Sequence, residues 1–231
     1  VKRILVINPN TSAAVTDGVV GACRRAHPEV SWHGVSARFG APYIADEIAY
    51  AVASHAVLDA YCHSFDGHDC VLIACFGDPG LLALRELACV PVVGLAQASL
   101  AGAARRGRFA VVTGGMAWGP MLSRFARAHG LDAKLAAIHT VELSGAQIAD
   151  DPAAALDSLA AAAARGIGDG AECILLGGAA LTGLAATLQP RIGAPLLDNV
   201  LLAAQACVDA MPTRRPPVPW PAWLGAAAAR A

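Results

Sequence analysis

Residues 70–80 read CVLIACFGDPG. The apolar run CVLIA at 70–74 is short, has no charge and does not alternate, which is how a strand buried on both faces reads. Behind it come Cys75, Phe76 and Gly77, and then a helix that Pro79 starts and Asp78 precedes. The same succession recurs along the chain. Strands are expected at 3–8, 31–36, 70–74, 91–95, 108–113, 135–141, 172–177 and 195–198. Ala-rich helices lie between them, near 12–26, 45–64, 79–88, 97–105, 117–129, 152–165, 182–190 and 199–210. One helix is well punctuated: Asp151 caps it, Pro152 opens it and Gly166 stops it. Strands alternating with helices predict an α/β fold, a parallel sheet covered on both faces.

The landmarks occur twice. Asn8 ends the first strand and Cys75 follows a later one; Thr113 and Gly178 repeat that pair at nearly the same separation, and Pro91 behind Cys75 is answered by Pro195 behind Gly178. The chain therefore reads as two pseudo-symmetric halves: residues 1–96 with 196–231, and residues 97–195. Carboxyl ends of parallel strands are where open α/β sheets bind ligands, so the loops after Asn8, Ala74, Thr113 and Gly177 are expected to line one cleft between the halves. Residues 212–231, rich in proline and carrying Trp220 and Trp223, break the pattern and read as a wrap or a contact in a homo-oligomer.

Composition narrows the function. Of 231 residues, 56% are hydrophobic, so a core is easily built. The 17 basic and 18 acidic residues leave a net charge of −1, and the basic ones are scattered, which argues against nucleic acid as a partner. No apolar stretch reaches membrane-spanning length, and the run near the first residue is too short for a secretory core, so no membrane partner and a cytoplasmic location are expected. Seven cysteines without framework spacing read as free thiols. Cys62, His63, His68, Asp69 and Cys70 have ligand-type side chains without a metal-site spacing, so no metal is expected. Thr113-Gly114-Gly115 lacks a dinucleotide or P-loop signature, so no cofactor is expected, and that loop reads as a source of N–H donors.

Three loops carry candidate chemistry. Asn8, Thr11 and Ser12 sit between a strand end and a helix start; Ser12 reads first as an N-cap, and the group also suits a grip on a substrate carboxylate or imide. Cys75, with Phe76 and Gly77, stands before a helix whose N-terminus favours an anion by roughly 0.3–2 kcal/mol, lowering the thiol by about one unit from about 8.5 toward neutrality. Asp78 reads as the cap of that same helix. Gly178 and Ala179 form the corresponding second-half loop, where glycine lets backbone approach a substrate.

The opening INPNTS, the cysteine after CVLIA, the segment GGAALTGL and the late APLLDN resemble the motifs of the aspartate/glutamate/hydantoin racemase superfamily, in particular its hydantoin and allantoin racemase branch. The resemblance spans nearly the whole chain. It implies two Rossmann-like halves and two cysteines facing each other across the acidic carbon of a substrate, one removing a proton and the other returning one. Cys75 matches the first cysteine, Asn8, Thr11 and Ser12 the polar loop, and Thr113 the second-half loop. The second cysteine is missing: Gly178 stands there, and Cys173 lies inside the preceding strand. Three functions follow, in order of preference. The first is a cofactor-independent racemase or epimerase of a hydantoin, allantoin or related small carboxylate or cyclic ureide. The second is a one-cysteine decarboxylase of a malonate-type acid, and the third a binding-only member.

Overall fold

The structure, a computed structural model, describes residues 1–210 with 215 and 216. The first half runs β1 (Arg3–Asn8), α1 (Ala13–Ala26), β2 (Ser31–Ser36), α2 (Glu47–Ser64), β3 (Cys70–Ile73), α3 (Leu81–Leu87) and β4 (Val92–Gly94). Helix α4 (Leu95–Ala104) leads into the second half. There β5 (Phe109–Gly114), α5 (Trp118–Ala128), β6 (Leu135–Val141), α6 (Gly145–Asp150), α7 (Pro152–Gly168), β7 (Cys173–Leu176), α8 (Leu184–Leu188) and β8 (Leu196–Asp198) follow, and α9 (Asn199–Asp209) comes last. The strands form two four-stranded parallel sheets, β2-β1-β3-β4 and β6-β5-β7-β8. This is the expected α/β architecture of two similar halves.

Period-two alternation in the strands distributes the core. Ile4 and Val6 of β1 join Phe109 and Val111 of β5, Leu95 and Leu100 of α4, and Val200 and Ala203 of α9 in one cluster shared by both sheets. Their neighbours turn the other way: Leu5 and Ile7 pack with Val57 of α2 and Leu81 and Leu84 of α3, while Ala110 and Val112 pack with Leu159 and Ala162 of α7. Each fully buried large aliphatic contributes about 1.5–3 kcal/mol relative to exposure, so the shared cluster holds the two sheets in fixed relation.

The register confirms the internal repeat. Ala74 N–H donates to Ile7 O at 2.8 Å and Gly177 N–H donates to Val112 O at 2.9 Å, so Cys75 and Gly178 occupy corresponding places one residue further on.

Several local expectations are corrected. Leu196–Asp198, assigned above with the first half, pairs with β7 in the second sheet; it is α9 that returns to the first half, against α1, α4, β3 and β4. Helix α7 does start at Pro152, with Asp151 accepting from Ala154 N–H, but it runs through Gly166 to Gly168. Gly166 is there for packing, since a Cβ on it would stand 2.7 Å from Ala110 Cβ. Helix α3 begins at Leu81 rather than Pro79, and α6 was not foreseen. The seven cysteines are free. Among the described residues no helix is long and apolar enough to cross a membrane. The expected wrap or contact by 212–231, with Trp220 and Trp223, lies outside the described residues apart from 215 and 216.

Candidate active site

A cavity of about 460 Å³, its open mouth included, lies at the carboxyl ends of both sheets. Loops following six strands reach it: Asn10 after β1, Tyr43 and Ile44 after β2, Cys75 and Phe76 after β3, Thr113 and Gly114 from the end of β5, Gly145 after β6, and Gly178 and Ala179 after β7. Four of these loops were expected. Those after β2 and β6 were not, although the same carboxyl-end rule covers them.

The first loop divides its labour. Asn8 is fully buried, and its Nδ2 lies 2.7 Å from Asn10 Oδ1, 3.0 Å from Ser12 O and 3.0 Å from Thr16 Oγ1. Its Oδ1 accepts from Asn10 N–H, so Asn8 ties the loop and Asn10 faces the cavity. Ser12 is the N-cap of α1, accepting from Val15 N–H, and Thr11 donates its N–H to Ala41 O. None of Asn8, Thr11 and Ser12 lines the cavity; Asn10, their neighbour in the same polar loop, does.

Cys75 is on the wall and 8% exposed, yet its electrostatics differ from the expectation. The amides of Gly77 and Asp78 donate to Cys75's own carbonyl at 2.9 and 3.0 Å, closing a tight turn, and α3 starts six residues beyond the thiol, behind an N-cap glycine. The expected stabilisation of a thiolate by the start of α3 is therefore lost. Burial, and next the carboxylate of Asp78, push the thiol well above its ordinary range instead of lowering it.

Asp78 does not cap its own helix either. It holds a left-handed backbone (φ 52°), and its two oxygens accept from Ala96 and Gln97 N–H, both at 2.7 Å, at the start of α4. A Cβ on Gly94 would overlap that carboxylate, which is why α4 has a glycine N-cap. Burial pushes the Asp78 carboxyl up to about 7, opposed by the two amides and Arg85. Gly77 lies behind the wall, its carbonyl accepting from Tyr50 O–H at 2.8 Å and its α-carbon packed under the Trp118 ring.

On the second-half side, Thr113 and Gly114 are buried wall residues, and a Cβ on Gly114 would stand 2.7 Å from Leu143 O and from Ile148 Cδ1. Gly115 is off the wall, and its N–H, expected to serve a ligand, donates to Val141 O at 3.0 Å. Gly178 is on the wall at φ 131°, where a Cβ would meet Leu181 Cδ1 at 3.0 Å. The ring of Phe76 crosses the cleft and occupies the space that any side chain on Gly177 would need.

Tyr43 completes the wall. Its oxygen accepts from Gly145 N–H at 2.9 Å, and Trp118 Nε1 donates to Ile44 O at 3.2 Å, so this first-half loop is fastened to the second half. Burial raises the Tyr43 phenol above its ordinary value, opposed by those donors. Among the described residues no three His, Cys, Asp or Glu side chains gather as they would around a metal ion.

Comparison with known proteins bears on the whole chain. The family model described as Asp/Glu/Hydantoin racemase matches residues 4–207. A hydantoin racemase of Pseudomonas sp. (strain NS671) is 32% identical over 214 residues, which cover 90% of this chain and 86% of that one. The crystal structure of an allantoin racemase from Pseudomonas fluorescens superposes with a TM-score of 0.86 at 27% identity, covering 95% of this chain and all of the other. An allantoin racemase from Klebsiella pneumoniae gives a TM-score of 0.83 at 33% identity, covering 90% of this chain and 86% of that one.

Proposed function

The chain belongs to the Asp/Glu/hydantoin racemase family, a family of isomerases, and on that premise we propose that it inverts the configuration of a small cyclic ureide, such as a hydantoin or allantoin, through Cys75. One observation carries this reading: a single thiol stands on the wall of a cavity framed by the carboxyl-end loops of both sheets. The carbon beside a ureide carbonyl is acidic because its carbanion spreads onto oxygen as an enolate. Cys75, ionised, takes that proton, and Asn10 and Thr113 offer polar groups to the ring oxygens and nitrogens. Neither step asks for a cofactor.

A buried thiol held high ionises sparingly at neutral pH, and the thiolate, once formed, is a correspondingly strong base. Below the thiol's pKa the ionised fraction grows about tenfold per pH unit, so the rate should climb through the mildly alkaline range. The test is polarimetry with enantiopure 5-substituted hydantoins and allantoin in deuterated buffer from neutral to alkaline pH. Inversion with deuterium uptake that rises with pH is expected; a pH-independent rate would remove Cys75 as the base. Gly178 favours one second reading, a decarboxylase in which loss of CO2 from a malonate-type acid creates the enolate and Cys75 protonates one face. Gas release with a single product enantiomer from an arylmalonate would select it.

A further inference from the structure

Tyr43 starts in one half and ends in the other. Its residue belongs to the loop between β2 and α2, but its oxygen is held by Gly145 N–H and lies 3.7 Å from where a Cβ on Gly115 would stand, among the second-half loops. A Cβ on Gly145 would come within 2.9–3.0 Å of the Tyr43 ring and hydroxyl, so a glycine there is what lets the phenol seat. Tyr43 lines the same cavity as Cys75 and Gly178, with its hydroxyl held on the second-half side by Gly145.

Two further observations bear on what it does. The phenol oxygen receives a hydrogen bond from an amide, while its own O–H finds no acceptor among the described residues. A hydroxyl whose proton has no acceptor among the described residues, on a half-buried residue that lines a cavity, points to a partner in the cavity. The loop is also fixed in advance. Ala37 N–H donates to Asn8 O and Asn10 O, Arg38 binds Asp59 through two bonds of 2.9 Å, and Ile44 O takes the Trp118 indole. Such fixing is what a proton-transfer group requires, since transfer depends on geometry first.

We propose that Tyr43 exchanges the proton on the face of the substrate carbon away from Cys75, the task for which Gly178 offers no side chain. The inference rests on the racemase reading above. In one direction the Cys75 thiolate takes the carbon-bound proton, and the C–H electron pair passes into the enolate. Tyr43 O–H then gives its proton to the opposite face, a new C–H bond forms, and the electron pair of the O–H bond stays on a phenolate held by Gly145 N–H. A proton passing from the Cys75 thiol to the phenolate through water restores the start. The other enantiomer runs the same steps backward, with the phenolate as base and the thiol as acid.

The experiment follows both enantiomers of one hydantoin in deuterated water, reading isotope uptake and optical inversion separately, with wild type and Tyr43→Phe. Wild type should invert both and label both. The variant should lose inversion by about 10²–10⁴-fold while Cys75 continues to exchange the proton of one enantiomer without inverting it, and leaves the other unlabelled. If Tyr43→Phe inverts as fast as wild type, Tyr43 has no such role although the racemase reading stands. If the folded variant loses even the one-sided exchange, Tyr43 shapes the cavity and transfers no proton. If wild type neither labels nor inverts, the racemase reading itself fails. Should Tyr43→Phe not fold, 3-fluorotyrosine at position 43 keeps the shape and alters only the acidity: a changed inversion rate with unchanged exchange at the Cys75 face supports the assignment, and no change in either overturns it.

Discussion

At the end of β3 the chain places a thiol, a phenyl ring and a carboxylate within four residues; at the corresponding end of β7 it places two glycines and two alanines. The two loops leave their sheets in the same way, yet only the first carries reactive groups, and it uses part of them on the second. Phe76 fills the space above Gly177, so the bare loop is bare because its partner occupies its room. The helix starts show the same trade. Asp78 reaches from its loop to cap α4 beside Gly94, whereas in the second half the aspartate, Asp198, sits at the strand end itself, caps α9 and reaches back to Gly183 N–H. Pseudo-symmetry here preserves the backbone and the capping job while the residue that does the job changes sides. Chemistry is then free to become one-sided.

The strongest way to break this comparison is Cys75→Ser. A rate loss of at least about 10²–10⁴-fold in both inversion and isotope exchange is expected, and an unaffected rate would make the two loops equally inert. Next is Gly177→Ala, which forces a methyl into the Phe76 ring and should cost about 1–3 kcal/mol in denaturant unfolding. The same change in a Phe76→Leu background should cost less, and a double-mutant cycle with no coupling would deny that the rings and glycines of the two halves share space. Gly178→Cys should cost about 1–2 kcal/mol, because the residue must hold positive φ against Leu181; Gly178→Ala should cost the same, showing that backbone and not sulfur is responsible. The smallest effect belongs to Asp78→Asn, about 1 kcal/mol for the weakened cap. The carboxyl of Asp78 is raised by burial from the ordinary carboxylate range to about 7, so the fold holds that proton longer than the unfolded chain does. Its contribution to stability therefore falls as pH rises from about 4 to about 7, and the variant should flatten that part of the stability profile, as thermal melts across the range would read.

Much of the fold was legible because buried parallel strands are written as uninterrupted apolar runs: all eight strands lie within two residues of where RILVIN, CVLI, CILL and their like placed them. The short α6 was not, since six residues opened by Ser144 give no apolar period to read. In the site, Cys75, Phe76, Thr113, Gly114, Gly178 and Ala179 were legible from position alone, at strand ends. Thr11, Ser12, Gly77 and Gly115 also sit at strand ends but turn out to serve the loops themselves, and sequence cannot show which of two neighbouring polar groups, such as Asn8 and Asn10, faces outward. The thiol's environment was misjudged for a related reason. The expectation needed a helix to begin at Pro79, and the turn that ends at Gly80 delays it and consumes the amides. Tyr43 was invisible because its loop follows an edge strand with mixed exposure, and nothing in APYIAD announces a reach across the cleft.

Helix α9 crosses back to cover the first sheet after the whole second half has been traversed, bringing Val200, Ala203, Ala204 and Cys207 onto Ile4, Val6 and Cys23. During synthesis, the strands made earliest must therefore wait for nearly the last described residues before one of their faces is sealed from water. Folding intermediates stalled before residue 200 should expose that face to chaperones. A ribosome-release series, probed by protease, would find that face protected only after α9 has emerged.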